Sequence, residues 1–517
     1  MDELPLFSAA ASGAANAFAE RIQAAQADAG PLVRKLASLC FQSAAEGHSC
    51  LDASALLAER NAGEAALPPL AELFAGNRLV ASADGPHREI GPCLMVVFGT
   101  RLYLKKYWSL ETRLFSALLG RSDSRQIALD AEISRRLADS CLEKPLTLLT
   151  GGPGTGKTTA IASALVQWME QFHHRHHRIP KVLLCAPTGK AASRMNESWQ
   201  RQRPSLLQNL DAALHSAVPE SAQTLHRLLA IHPHTRASRF SRNQPLQADL
   251  LVFDEASMLD LPMAMLLFDA LPDSCHLLFV GDPEQLPSIE TGSVLRTMLT
   301  LPASSALQQA IATAHIHLDR NYRQADAPGL SALASDLLRA EPEMVVAGLT
   351  GGGYPGADLQ AHSSGAVSAL VDRAVEHYRS IAAQSRVEDA IALLSRRIIL
   401  SPLREGPNGC NALNARIGDR LHVHGNRHGQ VLMITENAPA LGLSNGDIGL
   451  VWKQAQGVQV FFPRQDGPHG MPPALLPAHE LAYALTVHKA QGSEFDHVDL
   501  LLPDTDTPLL SRALVYT

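Results

Sequence analysis

The run Pro145–Phe172, PLTLLTGGPGTGKTTAIASALVQWMEQF, decides the fold. Leu146 to Leu149 read as a short buried strand, and the Ala-, Leu- and Ile-rich stretch after Lys157 reads as a helix. Between them lies Gly151-x-x-x-x-Gly156-Lys157-Thr158, a complete phosphate-binding loop. Glycines let backbone N–H groups curl around phosphate with no Cβ in the way, and the following helix adds the positive end of its dipole. Gly151, Gly152, Gly154, Thr155, Gly156, Lys157, Thr158 and Thr159 are therefore expected to line a nucleotide. Lys157 would reach the β- and γ-phosphates of ATP, and Thr158 would ligate Mg²⁺.

Working outward, Leu250 to Phe253 form a second apolar strand ending at Asp254 and Glu255. An acid at a strand end can hold Mg²⁺, and an adjacent Glu can take a proton from attacking water. A third strand, His276 to Val280, runs into Gly281, Asp282 and Gln285, where the Gln amide can bond to a γ-phosphate. The stretch KVLLCAPTGKAASR (Lys181–Arg194) is a fourth strand with polar residues at its carboxyl end. Ligands bind at that end in parallel α/β sheets.

The chain has 517 residues, enough for roughly three or four domains. Hydrophobic residues make up 46% and charged residues 18%, which places it among globular rather than disordered chains. No apolar run reaches the roughly 18–20 residues of a membrane span, so no membrane association is expected. The amino terminus MDELPLF is acidic where a secretory signal is basic, and the expected location is the cytoplasm. The seven cysteines are dispersed with no C-x-x-C pair, which argues against zinc or iron–sulfur sites and for reduced thiols. A net charge of −7 gives no global basic field, so nucleic-acid contact must rest on a local groove.

Those four stretches, with TLHRLL (Thr224–Leu229), LDRNYRQ (Leu318–Gln324) and LAYALTVHKAQGSEFDHV (Leu481–Val498), resemble the ordered motifs of superfamily 1 DNA helicases. The details GGPGTGKTT, APTGKAA, DEASM, GDPEQLPS and TVHKAQGSEF are similar to the RecD branch, as are AAEGHSCLD (Ala44–Asp52) and LYLKKYWSLE (Leu102–Glu111). The resemblance implies an α/β fold of two RecA-like P-loop domains with a small helical N-terminal domain and an inserted β-barrel. It implies an ATP-driven motor moving 5′ to 3′ on single-stranded DNA. It also implies a heterotrimer with RecB-like and RecC-like subunits in an exodeoxyribonuclease V complex for double-strand break repair and recombination. A freestanding RecD-like helicase and a regulatory subunit with a stabilising ATP site are the alternatives. No nuclease constellation stands apart from the ATP motifs.

Carried onto this sequence, the resemblance gives Gln126 the reading of adenine. Lys157, Glu255, Gln285 and Arg323 take the chemistry at the γ-phosphate, and Thr158 and Asp254 the metal. Gly492 and Glu494 couple nucleotide to DNA. Thr188, Lys190, Thr224, His226, Thr486, His488 and Lys489 contact DNA, which suits sequence-blind phosphate contacts.

The expected organisation is a mainly helical partner-docking domain to about residue 110, then a first motor domain over 111–300 with a small hairpin insertion at about 231–247. A second motor domain follows over 301–517, with the barrel at about 420–478. Leu32, Leu36, Leu39 and Cys40 share a helical face, Asp52 can cap a helix over residues 53–60, and Gly99-Thr100 sits at a hairpin turn. Residues 350–366 read as a loop, and His173–Arg178, HHRHHR, as a solvated loop rather than a metal site. Trp108 and Tyr107 read as core packing rather than base stacking. In the family, LVYT is followed by an arginine-bearing segment. Ending at Thr517, the chain is expected to bind ATP and hydrolyse it slowly, since an arginine finger is worth about 10³–10⁵ in rate.

Overall fold

A computed structural model of the chain describes residues 9–26, 29–45, 47–54, 68–83, 85, 90–121, 133–232, 235–288, 291–300, 306–319, 328–421, 427–455, 457–464, 467–504, 507 and 509–517. At the amino end, helices Ala9–Ala24 and Pro31–Ala45 pack together over four short strands. These are β1 (Cys50–Asp52), β2 (Val80–Ser82), β3 (Met95–Phe98) and β4 (Arg101–Leu104), in the order β1-β4-β3-β2. Leu36 and Cys40 are buried against Met95, Val97 and Leu102, as the helical face predicts. The domain is mainly helical, as expected, but beside its helices it carries this small sheet. Three- and four-residue strands are too short to leave an alternating pattern in sequence. The β3–β4 hairpin turns at Gly99-Thr100, with Gly99 at φ 58°. Asp52 Oδ1 accepts from the Ser54 amide at 2.9 Å, but the rest of the expected helix lies outside the described residues.

Helix Lys105–Gly120 joins this domain to the next without a break. Trp108 at its start packs edge-on to Tyr103, with centroids 5.1 Å apart, so it serves the core; Tyr107 is half-buried under Lys106. Leu114 and Leu118, further along, belong to the core of the first motor domain.

That domain is built on β5 (Leu146–Gly151), β6 (Val182–Ala186), β7 (Gln223–Thr224), β8 (Leu250–Phe253), β9 (His276–Gly281) and β10 (His315–Leu318). All pairings are parallel, in the order β10-β5-β9-β8-β6-β7. Both faces of the sheet are covered, which is why β5 and β8 read as unbroken buried runs. Along β8, Leu251 and Phe253 enter one core while Leu250 and Val252 enter the other. Strand β10 lies beyond the expected boundary at 300. It was hidden because His-Ile-His-Leu is half polar. Its two histidines hydrogen-bond to Thr150 Oγ1, at 2.6 Å for His315 and 2.7 Å for His317.

Helix Lys157–His176 follows β5 and buries Ile161, Leu165, Trp168, Met169 and Phe172, one face at helical spacing. The histidine run is thus not a loop. His173 to His176 complete this helix, and His177 ends it in the left-handed conformation at φ 53°. Arg178 then stacks on Phe172, 4.8 Å from the ring centroid, and pairs with Asp249. Among the described residues no group of three or more His, Cys, Asp or Glu could hold a metal. The insertion near 231–247 shows a single antiparallel bridge, Ser241 to Gln244, and no longer strand pair among the described residues.

The second motor domain contains β11 (Arg397–Ser401), then an insert of β12 (Val431–Ile434), β13 (Ile448–Gln454), β14 (Gly457–Phe462), β15 (His469–Met471) and β16 (His479–Leu481), then β17 (Ala484–Thr486) and β18 (His497–Leu500). Strands β17-β11-β18 form a parallel sheet. Residues 351–363 connect helix Pro342–Thr350 to helix Ser364–Ala382, which Ser363 caps. The insert is antiparallel, in the order β15-β14-β13-β12-β16, and its end strands do not pair with each other. It is an open sheet rather than a closed barrel. Val431, Met433, Leu450, Trp452 and Phe461 face the motor core with Tyr378 and Tyr483, while Leu432, Ile434, Val451, Val460 and Phe462 form a core of their own. No helix among the described residues is long and apolar enough to cross a membrane.

The free side of β17 is satisfied by a side chain. Asn414 Nδ2 donates to Ala484 O at 3.0 Å, and Asn414 Oδ1 accepts from Ala484 N at 2.8 Å, so a buried amide stands in for a neighbouring strand. Replacing Asn414→Leu should destabilise the chain by about 2–4 kcal/mol, since two buried backbone groups lose their partners. Urea denaturation would measure it; an unchanged midpoint would contradict this role.

Candidate nucleotide and DNA site

Because all six strands of the first sheet run the same way, their carboxyl ends share one edge. The phosphate loop leaves β5, the Asp282–Gln285 loop leaves its neighbour β9, and Asp254-Glu255 leave β8, the next strand. Three stretches that lie apart in the chain between Gly151 and Gln285 thus meet on adjacent strands.

The loop itself is tightly built. Gly154 and Gly156 have φ of 74° and 79°. A Cβ on Gly151 would lie 2.8 Å from Thr155 Oγ1 and 2.9 Å from Leu318 O of β10. Thr155 Oγ1 donates to Gly152 O at 2.9 Å. Lys157 Nζ donates to Gly151 O at 2.7 Å and Gly152 O at 3.0 Å, which holds the ammonium over the loop. Thr158 and Thr159 follow in the first helical turn, Thr158 half-buried and Thr159 exposed.

Asp254 and Glu255 sit opposite this cation. Glu255 takes a left-handed backbone, φ 53°, and its amide donates to Asp254 Oδ1 at 2.9 Å. Burial pushes both carboxyls up, Glu255 to about 7 with the Asp254 charge adding to it; Lys157 and Arg194 pull the other way. Arg194 is a residue the motif reading missed. It lies in the helix Gly189–Asn209 (its signal was the spacing, one turn beyond Lys190), and it pairs with Glu494 of the second domain at 2.9 Å. Glu494 was expected at the nucleotide. In the structure it pairs with Arg194, the cation that also acts on the two acids. Gly492, two residues before it, has φ 73°. Gln126 and Arg323 lie outside the described residues.

The expected DNA contacts leave the remaining strands. Thr188 follows β6, Thr224 ends β7 beside it, and Thr486 ends β17 in the second sheet. Each hydroxyl caps a helix, accepting from Ala191 N at 3.2 Å, Arg227 N at 3.3 Å and Lys489 N at 3.3 Å respectively. Capping uses each oxygen as an acceptor and leaves its proton free to donate. Lys190 Nζ is buried with no hydrogen-bond partner, and burial, with Arg194 beside it, pushes its ammonium down to about 8. Gly189 abuts Ser444 of the inserted sheet, leaving no room for a Cβ there. Lys489 pairs with Glu480, His488 is half-buried and His226 is exposed.

Comparison with known proteins shows the family. Residues 135–291 match the AAA domain, and residues 481–517 match the UvrD-like helicase C-terminal domain. The chain is 31% identical to the RecBCD enzyme subunit RecD of Mycolicibacterium smegmatis, over 93% of this chain and 86% of that one. It is 32% identical to the same subunit of Mycobacterium tuberculosis, over 82% of this chain and 75% of the relative. The chain belongs to the RecD family. It is also 29% identical to the ATP-dependent RecD2 DNA helicase of Deinococcus radiodurans, over 72% of this chain and 45% of that one.

In this RecD-family chain the UvrD-like segment closes back on the first domain. Thr517 Oγ1 accepts from Leu286 N at 2.9 Å, Gln491 Nε2 donates to Leu286 O at 3.2 Å, and Tyr516 Oη donates to Asp282 Oδ2 at 3.0 Å. None of these partners is evident in sequence, because nothing in a motif says which loop it will face across a cleft.

Gly151→Ala should cost about 1–3 kcal/mol of strain where the loop meets β10 and weaken nucleotide binding about tenfold or more. A fluorescent-nucleotide titration reads this directly. Unchanged affinity would mean that the close fit of the loop against Leu318 does not set its shape.

Proposed function

We propose that this chain is an ATP-dependent DNA helicase of the RecD type, acting in DNA repair and recombination. The observation that carries the reading is that the phosphate loop, the Gln285 loop and the Asp254-Glu255 pair leave three adjacent parallel strands. Identity across most of a RecD subunit supports it.

Lys157 and the loop amides would hold the β- and γ-phosphates, and Gln285 the γ-phosphate. Thr158 and Asp254 offer the oxygen donors that suit Mg²⁺, which supplies charge neutralisation between the β- and γ-phosphates when bound. Glu255 would take the proton of the attacking water; its burial keeps its proton affinity high enough for that task. Arg323 would reach the γ-phosphate, and Gln126 the adenine. Thr188, Lys190, Thr224, His226, Thr486, His488 and Lys489 would contact the phosphates and sugars of single-stranded DNA, as a sequence-blind motor requires.

The relatives named as RecBCD subunits support a heterotrimer with RecB-like and RecC-like chains; in it the amino-terminal domain would be the docking unit. Movement 5′ to 3′, in the cytoplasm, belongs to the same reading.

The test is ATP hydrolysis and strand separation by the assembled enzyme on duplexes carrying a 5′ or a 3′ single-stranded tail. Lys157→Ala should abolish hydrolysis by this subunit. Glu255→Gln should slow it about 10²–10⁴-fold while nucleotide still binds. The subunit's contribution should appear on the 5′-tailed duplex. Unwinding of that duplex unaffected by both substitutions would favour a regulatory subunit whose ATP site only stabilises assembly.

A further inference from the structure

The loop that leaves β9 is gripped from the other domain. Leu286 is buried with Val487 and Leu514, and both its backbone N–H and its C=O are bonded by side chains of the second domain, Thr517 and Gln491. At the head of the loop Asp282 is only 2% exposed. Its Oδ1 accepts from Glu284 N at 3.1 Å. Its Oδ2 is shared: Gln285 Nε2 donates to it at 3.3 Å from within the loop, and Tyr516 Oη donates to it at 3.0 Å from across the cleft. Burial and the Asp282 charge push the Tyr516 phenol well above its ordinary range, so it stays a donor at any working pH.

Tyr516 also lies beside the phosphate loop. Its hydroxyl lies 3.3 Å from where a Cβ on Gly152 would sit. The helix that carries it, Arg512–Tyr516, is anchored on its own domain by Arg512 Nη1, which donates to Leu337 O at 3.3 Å and Ala340 O at 2.9 Å. One hydroxyl from a helix fixed on the second domain therefore meets the first domain where the phosphate loop and the Gln285 loop come together.

We propose that Tyr516 is a positioning residue for the γ-phosphate sensor: by bonding Asp282 Oδ2 it sets the direction of the Gln285 amide, and so lets Gln285 act only when the second domain lies against the first. This rests on the reading of the site as an ATPase with Gln285 at the γ-phosphate. The physical argument is geometric. Asp282 Oδ2 holds the Gln285 amide by its side-chain N–H, leaving the amide oxygen and the second N–H to face outward. A carboxylate oxygen held by two donors has a fixed orientation. With the phenol gone, Oδ2 keeps only the Gln285 amide while Oδ1 stays on Glu284 N, so the shared oxygen loses the donor that fixes it from across the cleft and the Gln285 amide is less firmly directed.

The test is steady-state ATP hydrolysis with single-stranded DNA by the full chain, comparing wild type, Tyr516→Phe, Gln285→Ala, the double variant and Lys157→Ala. Tyr516→Phe keeps the ring and removes one hydrogen bond to a charged group, so kcat should fall about tenfold, with KM for ATP and ADP affinity within about twofold. The loss should disappear in the Gln285→Ala background, because both changes remove the same function. A purely structural role would instead lower thermal stability and persist beside Gln285→Ala. An unchanged kcat, a loss confined to KM, or a loss that adds to that of Gln285→Ala would overturn the proposal. Absence of any Lys157-dependent turnover in wild type would overturn the ATPase reading itself, and the proposal with it.

Discussion

Parallel pairing is the constraint on which the rest depends. A strand can pair parallel to its neighbour only if the chain crosses back over the sheet, so every strand of β5 to β10 ends at the same edge. Polar residues placed just after each strand must then gather there, however far apart they lie in sequence. The order β10-β5-β9-β8-β6-β7 divides that edge into two parts. The residues read as ATP machinery follow β5, β9 and β8, which are contiguous. The residues read as DNA contacts follow β6 and β7, which are contiguous beyond them. A nucleotide at one part and a strand of DNA along the other would be neighbours by topology alone.

The two parts are joined by few side chains, and these come from opposite domains. Arg194 lies four residues after Lys190, in the helix that follows β6. It acts on Asp254 and Glu255 within its own domain and pairs with Glu494 across the cleft. Tyr516, Thr517 and Gln491 do the equivalent at the Gln285 loop. Exposed ion pairs such as Arg194–Glu494 contribute little to stability, about 0–1 kcal/mol. That weakness would suit a contact a translocating motor makes and breaks. The apolar seam of Leu286, Val487 and Leu514 is buried and supplies the more persistent attachment.

Much of this was legible in the sequence where chemistry and local geometry coincide. The phosphate loop needs glycines at positive φ and a lysine at a helix start, and those requirements leave a readable pattern. Apolar runs ending in acids mark buried parallel strands for the same reason. Strand β10 was not legible because His315 and His317 interrupt it. What holds it to β5 is backbone pairing plus their bonds to Thr150. The histidine run after Phe172 is polar enough to read as a loop, yet the buried face of that helix extends to Phe172 itself and carries the helix on to His176. The β-branched runs of the insert correctly announced strands. They did not announce an open sheet, because closure depends on what covers each face, and here Tyr378 and Tyr483 of the motor core help cover one. Arg194, Tyr516 and the Thr517–Leu286 contact were illegible for a simpler reason: a partner across a cleft leaves no spacing in the chain.

One sheet edge would thus carry nucleotide and DNA side by side. The most direct measurement is a crystal structure of the protein with Mg²⁺, a non-hydrolysable ATP analogue and an oligothymidylate. Triphosphate is expected against Gly151–Thr158 and Gln285, a cation at Thr158 and Asp254, and DNA phosphates passing Thr188, Thr224 and Thr486. DNA lying on another surface, away from the ends of β6, β7 and β17, would contradict it.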